Sequence, residues 1–154
     1  MKWNFPDNFT DEIDSAGLKV YKNRRVVDLI TQNNEAEAVE VFGISGAMPM
    51  FRRNALASVL FSNGNLFDEV YGSYKEDVDL AFRLQSGGYK TYIMSDALAY
   101  HDRSSSSDSS IVKNPDAWVG IPTLRRDKQM QPAHIKYNSY RNHLMTIYKN
   151  EYWQ

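Results

Sequence analysis

The segment from Glu76 to Gly88 restricts the fold more than any other. Asp77, Leu80, Ala81 and Leu84 recur at i, i+3, i+4 and i+7, the spacing of one helix face, and Gly87-Gly88 supplies a stop that accepts the left-handed C-cap conformation. The spacing predicts a helix over Glu76 to Ser86. Tyr89 to Met94, rich in aromatic and β-branched side chains, follows at once as a strand, with Ala97 to His101 as a further extended run of the same sheet. A one-faced helix between strands needs a sheet to lie on, so the class is α/β.

The remaining segments fit that class. Gly17 to Leu29 alternates around Lys22-Asn23 as a short hairpin, and Val39 to Ile44 reads as a strand running into the small-residue turn Ser45-Gly46-Ala47. Asn54 stands as N-cap before a short helix carrying Ala55, Leu56, Val59 and Leu60, which Asn63-Gly64 ends. The serine-dense, aperiodic stretch 103–122 is expected to be a flexible loop. Residues 137–153 form a C-terminal amphipathic helix whose inward face would be Tyr140, Leu144, Ile147, Tyr148 and Glu151. At 154 residues the chain suffices for one core, so 1–154 is read as a single domain.

Composition excludes several functions. Lysine plus arginine (18) nearly balances aspartate plus glutamate (19), so no basic field recommends nucleic acid as a partner. The absence of cysteine removes disulfides, thiolate metal sites and thiol nucleophiles, and fits a reducing compartment. No secretory signal and no apolar run near the roughly 20 residues of a membrane span is present, so the expected location is the cytoplasm.

Two places carry candidate chemistry. Asp77 shares the inward face at the first turn of its helix, where burial raises a carboxylate's cost and the helix N-terminus lowers it. Such a group suits a general base at a pocket mouth; the plain alternative is a helix cap, with Glu76, Asp79 and Arg83 as exposed charge pairs. A glycosidase is disfavoured, because its two carboxylates face each other across one bond, whereas neighbours on a helix point about 100° apart. Inverting sugar transfer needs only one base, since the leaving nucleoside diphosphate can be neutralised by a metal. The second place is His101, at the end of the run Leu98-Ala99-Tyr100, where an imidazole serves either as a structural group or as a ligand for a divalent ion.

In order along the chain, Gly43-Ile44-Ser45-Gly46-Ala47, Phe51-Arg52-Arg53-Asn54-Ala55-Leu56, Phe67-Asp68-Glu69, Tyr74 to Leu80, Arg83-Leu84, Gly88-Tyr89 and Ala99-Tyr100-His101 resemble the C-terminal half of family 2 glycosyltransferases. The likeness is closest to the bacterial rhamnosyltransferase-like branch, and it extends back to Asp14-Ser15-Ala16-Gly17 and forward to Tyr140-Arg141-Asn142-His143. The resemblance implies a partial GT-A (Rossmann-like) fold, the acceptor-side half, with a mixed sheet and flanking helices. It implies Asp77 as catalytic base, with Glu76, Ser45, Gly46, Ala47, Arg52 and Arg53 lining the acceptor site, and His101 as a ligand to Mg or Mn.

By this resemblance, the family's βαβ nucleotide-binding region, with its Asp-x-Asp motif, is expected to be lacking ahead of Met1. The resemblance therefore implies a glycan or lipid-linked sugar acceptor as partner, and a nucleotide-sugar donor only together with the missing half. A homo-oligomer or partner chain would cover an exposed sheet edge, and a peripheral position at the inner face of the cell membrane fits a lipid-linked acceptor. The reading from another class is a non-catalytic carbohydrate-binding or assembly module derived from such an enzyme.

Overall fold

The computed structural model of the chain describes residues 13–30, 36–101 and 133–151. The expected serine-rich loop at 103–122 lies outside them. Leu18–Val20 (β1) and Val26–Asp28 (β2) form the antiparallel hairpin, with Leu18 opposite Asp28 and Val20 opposite Val26. Arg24, at φ 62°, takes the left-handed position of its turn, and the Tyr21 and Arg25 backbones close it. Ala38–Val41 (β3) pairs antiparallel with Thr91–Met94 (β4), Ala38 opposite Met94 and Val41 opposite Thr91. A bridge between Leu18 and Gly43 stitches the two pairs together. The fold is thus mixed α/β with small antiparallel sheets. The parallel pairing that a mixed sheet requires is not found among the described residues.

The run Ala97 to His101, expected as strand, carries none. Ser95 donates its amide to the Glu37 carbonyl and Ala97 turns back onto Met94, so the chain leaves the sheet where β3 begins and a pairing partner ends.

Between β3 and β4 lie helix α1 (Arg53–Ser58), a 3-10 turn (Glu69–Tyr71) and helix α2 (Glu76–Ser86). Helix α1 starts earlier than Asn54 predicts, with Arg52 as N-cap, because the Arg52 carbonyl accepts the Leu56 amide. It also ends earlier, at Val59, whose carbonyl is taken by the Arg83 guanidinium. Helix α2 ends as the Gly-Gly stop predicts. Gly88 is left-handed at φ 79°, its amide bonds to the Gln85 carbonyl and that of Tyr89 to Leu84, while the Tyr89 ring packs on the same cluster as Leu84.

Helix α2 is the centre of the molecule. On one side Val78 and Phe82 pack with Leu18 and Val26 of the hairpin, Phe82 meeting Phe42 edge to face at 4.7 Å. On another, Leu80 and Leu84 pack with Ala55 and Val59. Burial of each such large side chain contributes about 1.5–3 kcal/mol. Gly43 is where sheet and helix come closest: a Cβ there would stand 2.5 Å from the Cβ of Ala81.

The third side of α2 receives helix α3 (Ala133–Glu151). The expectation for its inward face is overturned. Tyr140, Leu144 and Tyr148 are exposed, and the buried stripe is Ile135, Asn142 and Thr146. The face that α3 meets is polar: backbone carbonyls of the 3-10 turn and its sequel, the Tyr71 hydroxyl and Asp79. Hydrogen-bonding need, rather than apolar area, selects which stripe goes inside.

Asp79 and Arg83 are likewise not the exposed pair that helical spacing suggested. Asp79 is 1% exposed. Its carboxylate accepts from Arg83 Nε (2.9 Å), Lys149 Nζ (3.2 Å), the Tyr71 hydroxyl (3.3 Å) and Asn150 Nδ2 (3.3 Å). Arg83 also donates to the Leu66 carbonyl and lies over the Phe61 ring, while Lys149 reaches Asp68 at 3.0 Å. Two cations and two carboxylates thus balance inside a hydrogen-bonded cluster, the condition under which buried charge is tolerated. Deep burial, aided by the neighbouring Asp79, pushes the Tyr71 hydroxyl well above the ordinary tyrosine range, so it stays a proton donor.

Candidate functional site

Asp77 stands in the first turn of α2, half-buried, at the wall of a pocket of about 230 Å³. The pocket is lined mainly by apolar groups, among them Ile44, Pro49, Phe51, Leu66 and Phe67, with Asp77 and Thr91 as its polar side chains. That volume is below the ~300 Å³ at which drug-sized sites begin, so it suits part of a ligand.

The two carboxylate oxygens of Asp77 have different partners. Oδ1 accepts the amide of Val78 at 2.8 Å, which satisfies one of the free N–H groups of the helix start. Oδ2 reaches across to the amide of Gly46 at 3.1 Å, on the turn after β3. Capping and site-building are therefore done by one side chain, one oxygen each. A carboxylate gripped from two elements holds its position and retains lone pairs for a third donor.

Glu76 lies beside it, half-buried, with Oε2 out of water and without a hydrogen-bond partner. Burial first, and the charge of Asp77 after the opposing pull of its own amide, raise its carboxyl above the ordinary glutamate range. It is thus neither an exposed charge pair nor a fully satisfied cap.

The backbone that delivers this acid pair is unusual. Tyr74 and Lys75, neither of them glycine, are both left-handed at φ 75° and 73°. Each costs about 1–2 kcal/mol relative to ordinary backbone. Lys75 is the N-cap of α2 and makes no side-chain cap bond. Support comes from α3 instead. The side-chain amide of Asn142, fully buried, donates to the carbonyls of Tyr71 (2.9 Å), Ser73 (2.8 Å) and Tyr74 (2.7 Å). Arg141 adds bonds to Val70 and Tyr71. At about 1 kcal/mol net for each bond, the sum is of the same order as the strain.

The other expected site residues are distributed unevenly. Gly46 is brought to Asp77, but not because a side chain would clash: a Cβ there would find Asp77 at an ordinary 3.8 Å. Its amide is what matters. Ser45 is half-buried and Ala47 exposed, and neither lines the pocket. Arg52 and Arg53 are exposed at the start of α1, also outside the lining. His101 is exposed and its Nδ1 lies 3.2 Å from Asp14 Oδ2. Mg or Mn takes about six donors. No group of three or more histidine, aspartate or glutamate side chains is gathered among the described residues, so these do not by themselves fit such an ion. The residues that sequence spacing missed are Phe51, Leu66, Phe67 and Thr91 in the pocket and Asn142 behind it; a buried asparagine in a helix carries no periodic signal.

Among the described residues no helix is long and apolar enough to cross a membrane. Neither a curated protein nor a solved structure matches the chain. The family model described as glycosyl transferase family group 2 matches residues 19–147, which takes in all but the first residue of the hairpin, the pocket, Asp77 and the first 15 of the 19 residues of α3. By that match, over most of its length, the chain belongs to glycosyl transferase family group 2.

Proposed function

We propose that the chain serves in transfer of a sugar from a nucleotide-diphospho-sugar to a glycan or lipid-linked acceptor, with inversion, and that Asp77 is the base. Family membership supports sugar transfer in general; the finer reading rests on the two-handed grip on Asp77 at the pocket wall. In this reading the acceptor hydroxyl approaches the open lone pair of Asp77 and gives up its proton as its oxygen attacks the anomeric carbon of the donor. The bond from that carbon to the diphosphate breaks on the opposite face, which inverts the configuration. The apolar pocket wall excludes water from the attacking oxygen.

The GT-A character, the rhamnosyltransferase-like branch, a cytoplasmic setting and a donor site in a βαβ region outside these elements belong to the same proposal. A divalent ion would have to complete its shell from donors beyond the His101–Asp14 pair, and no step is assigned to it.

The test combines the chain with a βαβ donor half and follows release of nucleoside diphosphate from a panel of UDP- and dTDP-sugars supplied with oligosaccharide acceptors, with the product's anomeric configuration read by NMR. Asp77→Asn is expected to lower turnover at least 100-fold, the scale of a lost general base, while acceptor affinity stays within twofold. Unchanged turnover, or retention of configuration, would refute it. The non-catalytic carbohydrate-binding module predicts acceptor binding without turnover even when the donor half is supplied.

A further inference from the structure

We propose that Asn142, on α3, is the positioning residue for Asp77. It holds the left-handed Tyr74-Lys75 entry of α2 in the one shape that lets the carboxylate reach Gly46. This rests on the reading of Asp77 as the base.

The α3 side supplies three bonds to this entry, whereas from α2 the Glu76 carboxyl takes the Tyr74 amide and Lys75 adds no side-chain cap. Three carbonyls converge on one side-chain nitrogen that has two hydrogens, so at least one hydrogen is shared. The amide cannot be turned over without facing an oxygen toward three oxygens. Its Oδ1 is in turn fixed by Arg141 Nε at 2.9 Å. The last of the three carbonyls, Tyr74, precedes the N-cap, and Asp77 follows three residues later. With no side-chain cap on Lys75, the grip on 71–74 acts on the direction of the first turn alongside the Asp77–Val78 cap and the Lys75–Val26 bond. The crossing bond it must deliver, Gly46 to Asp77 Oδ2, is 3.1 Å and tolerates little displacement.

Anchoring of α3 as a whole does not depend on this residue. Thr146 bonds the Tyr71 hydroxyl, Lys149 bonds Asp68 and Asp79, and Ile135 is buried. Loss of the Asn142 amide should therefore release the loop while leaving the helix docked.

The experiment uses the 15N-labelled full chain and follows the Gly46 amide resonance, which reports the bond to Asp77 directly. Asn142→Leu keeps the branched outline of the side chain, with bulkier methyl ends, and removes the donors. It is expected to move the Gly46 amide proton toward its position in Asp77→Asn, with the amides of β3 and β4 unmoved. Adding Tyr74→Gly and Lys75→Gly, which makes the left-handed backbone cheap, should return the resonance at least halfway. In turnover with the donor half supplied, Asn142→Leu should lower kcat about 10- to 100-fold with the donor KM within twofold, and the two glycines should restore most of it. Should Asn142→Leu not fold, Asn142→Ser, which keeps one donor, is expected to show a smaller displacement of the same sign. A Gly46 resonance unmoved in a folded Asn142 variant, or moved but not restored by the glycines, overturns the assignment. If the resonances behave as expected while Asp77→Asn keeps full turnover, the base reading fails instead.

Discussion

Gly43→Ala tests how closely the sheet must approach α2 for the site to exist. The backbone at Gly43 is not left-handed, so the demand for glycine there is purely steric. The added Cβ would stand 2.5 Å from Ala81 Cβ, whereas carbon atoms rest at about 3.5–4.0 Å. Strand and helix must separate by roughly 1 Å, at an overpacking cost of about 1–3 kcal/mol. The same separation stretches the Gly46–Asp77 bond beyond hydrogen-bonding range, since the two groups ride on the two elements that part. Ala81→Gly removes the obstructing methyl and leaves the next neighbour of the new Cβ, Leu18 Cδ1, at 3.4 Å. By itself it costs about 1 kcal/mol in helix propensity. The double variant should therefore be about as stable as Ala81→Gly alone. In urea denaturation with an unchanged m-value, the coupling energy is expected at about 1–3 kcal/mol, outside the roughly 0.5 kcal/mol scatter of independent sites. An additive double variant, or a Gly43→Ala chain as stable as the original, would refute the contact.

Three further outcomes are expected. Asp79→Ala strands Arg83 and Lys149 with half their partners gone; breaking such a buried pair costs about 3–5 kcal/mol. With roughly 2–4 °C lost per kcal/mol in a domain of this size, thermal denaturation should show a drop of at least about 6 °C, and a smaller one for Asp79→Asn. Glu76→Gln should raise stability at neutral pH. The folded carboxyl titrates above its ordinary value of 4.5, so its penalty grows as pH rises through the folded pKa and is absent well below 4.5; melting curves at pH 4 and pH 7 should differ accordingly, and a uniform effect would count against it. Burial first, then Lys75 and Arg25, hold His143 below its ordinary 6.5. Stability should thus be complete above 6.5 and fall as pH drops toward the folded value, and His143→Gln should flatten that slope.

What could be read in the sequence follows from how local each determinant is. Helix α2 and its stop depend on residues within one segment, so Glu76–Ser86 and the left-handed Gly88 agree with spacing and glycine placement. The β1–β2 hairpin is local in the same sense. Burial of Asp79 was not legible, because helical periodicity assumes one covered face and α2 is covered on three. The face of α3 was misread for a related reason: apolar moment predicts which stripe seeks oil, whereas α3 docks on carbonyls and a carboxylate. Of the site, Asp77 and Gly46 could be named from pattern and resemblance, but their bond spans 31 positions and depends on Gly43 and Asn142, neither of which announces that role.

The polar docking of α3 follows from the shape of 70–75. A 3-10 turn followed by left-handed residues leaves the carbonyls of Val70, Tyr71, Ser73 and Tyr74 pointing away from any ladder, and buried carbonyls need donors. An apolar helix laid on that surface would leave the more buried of them, those of Tyr71, Ser73 and Tyr74, unmet at a cost of about 1–3 kcal/mol each. Asn142 and Arg141 meet all four, while Thr146 and Lys149 extend the same stripe to Tyr71 and Asp79. Hydrogen bonds are directional where apolar contact is not, so α3 can seat only where those carbonyls stand. The loop's strain and the helix's placement then specify each other, and the entry to α2 that carries Glu76 and Asp77 inherits that single geometry.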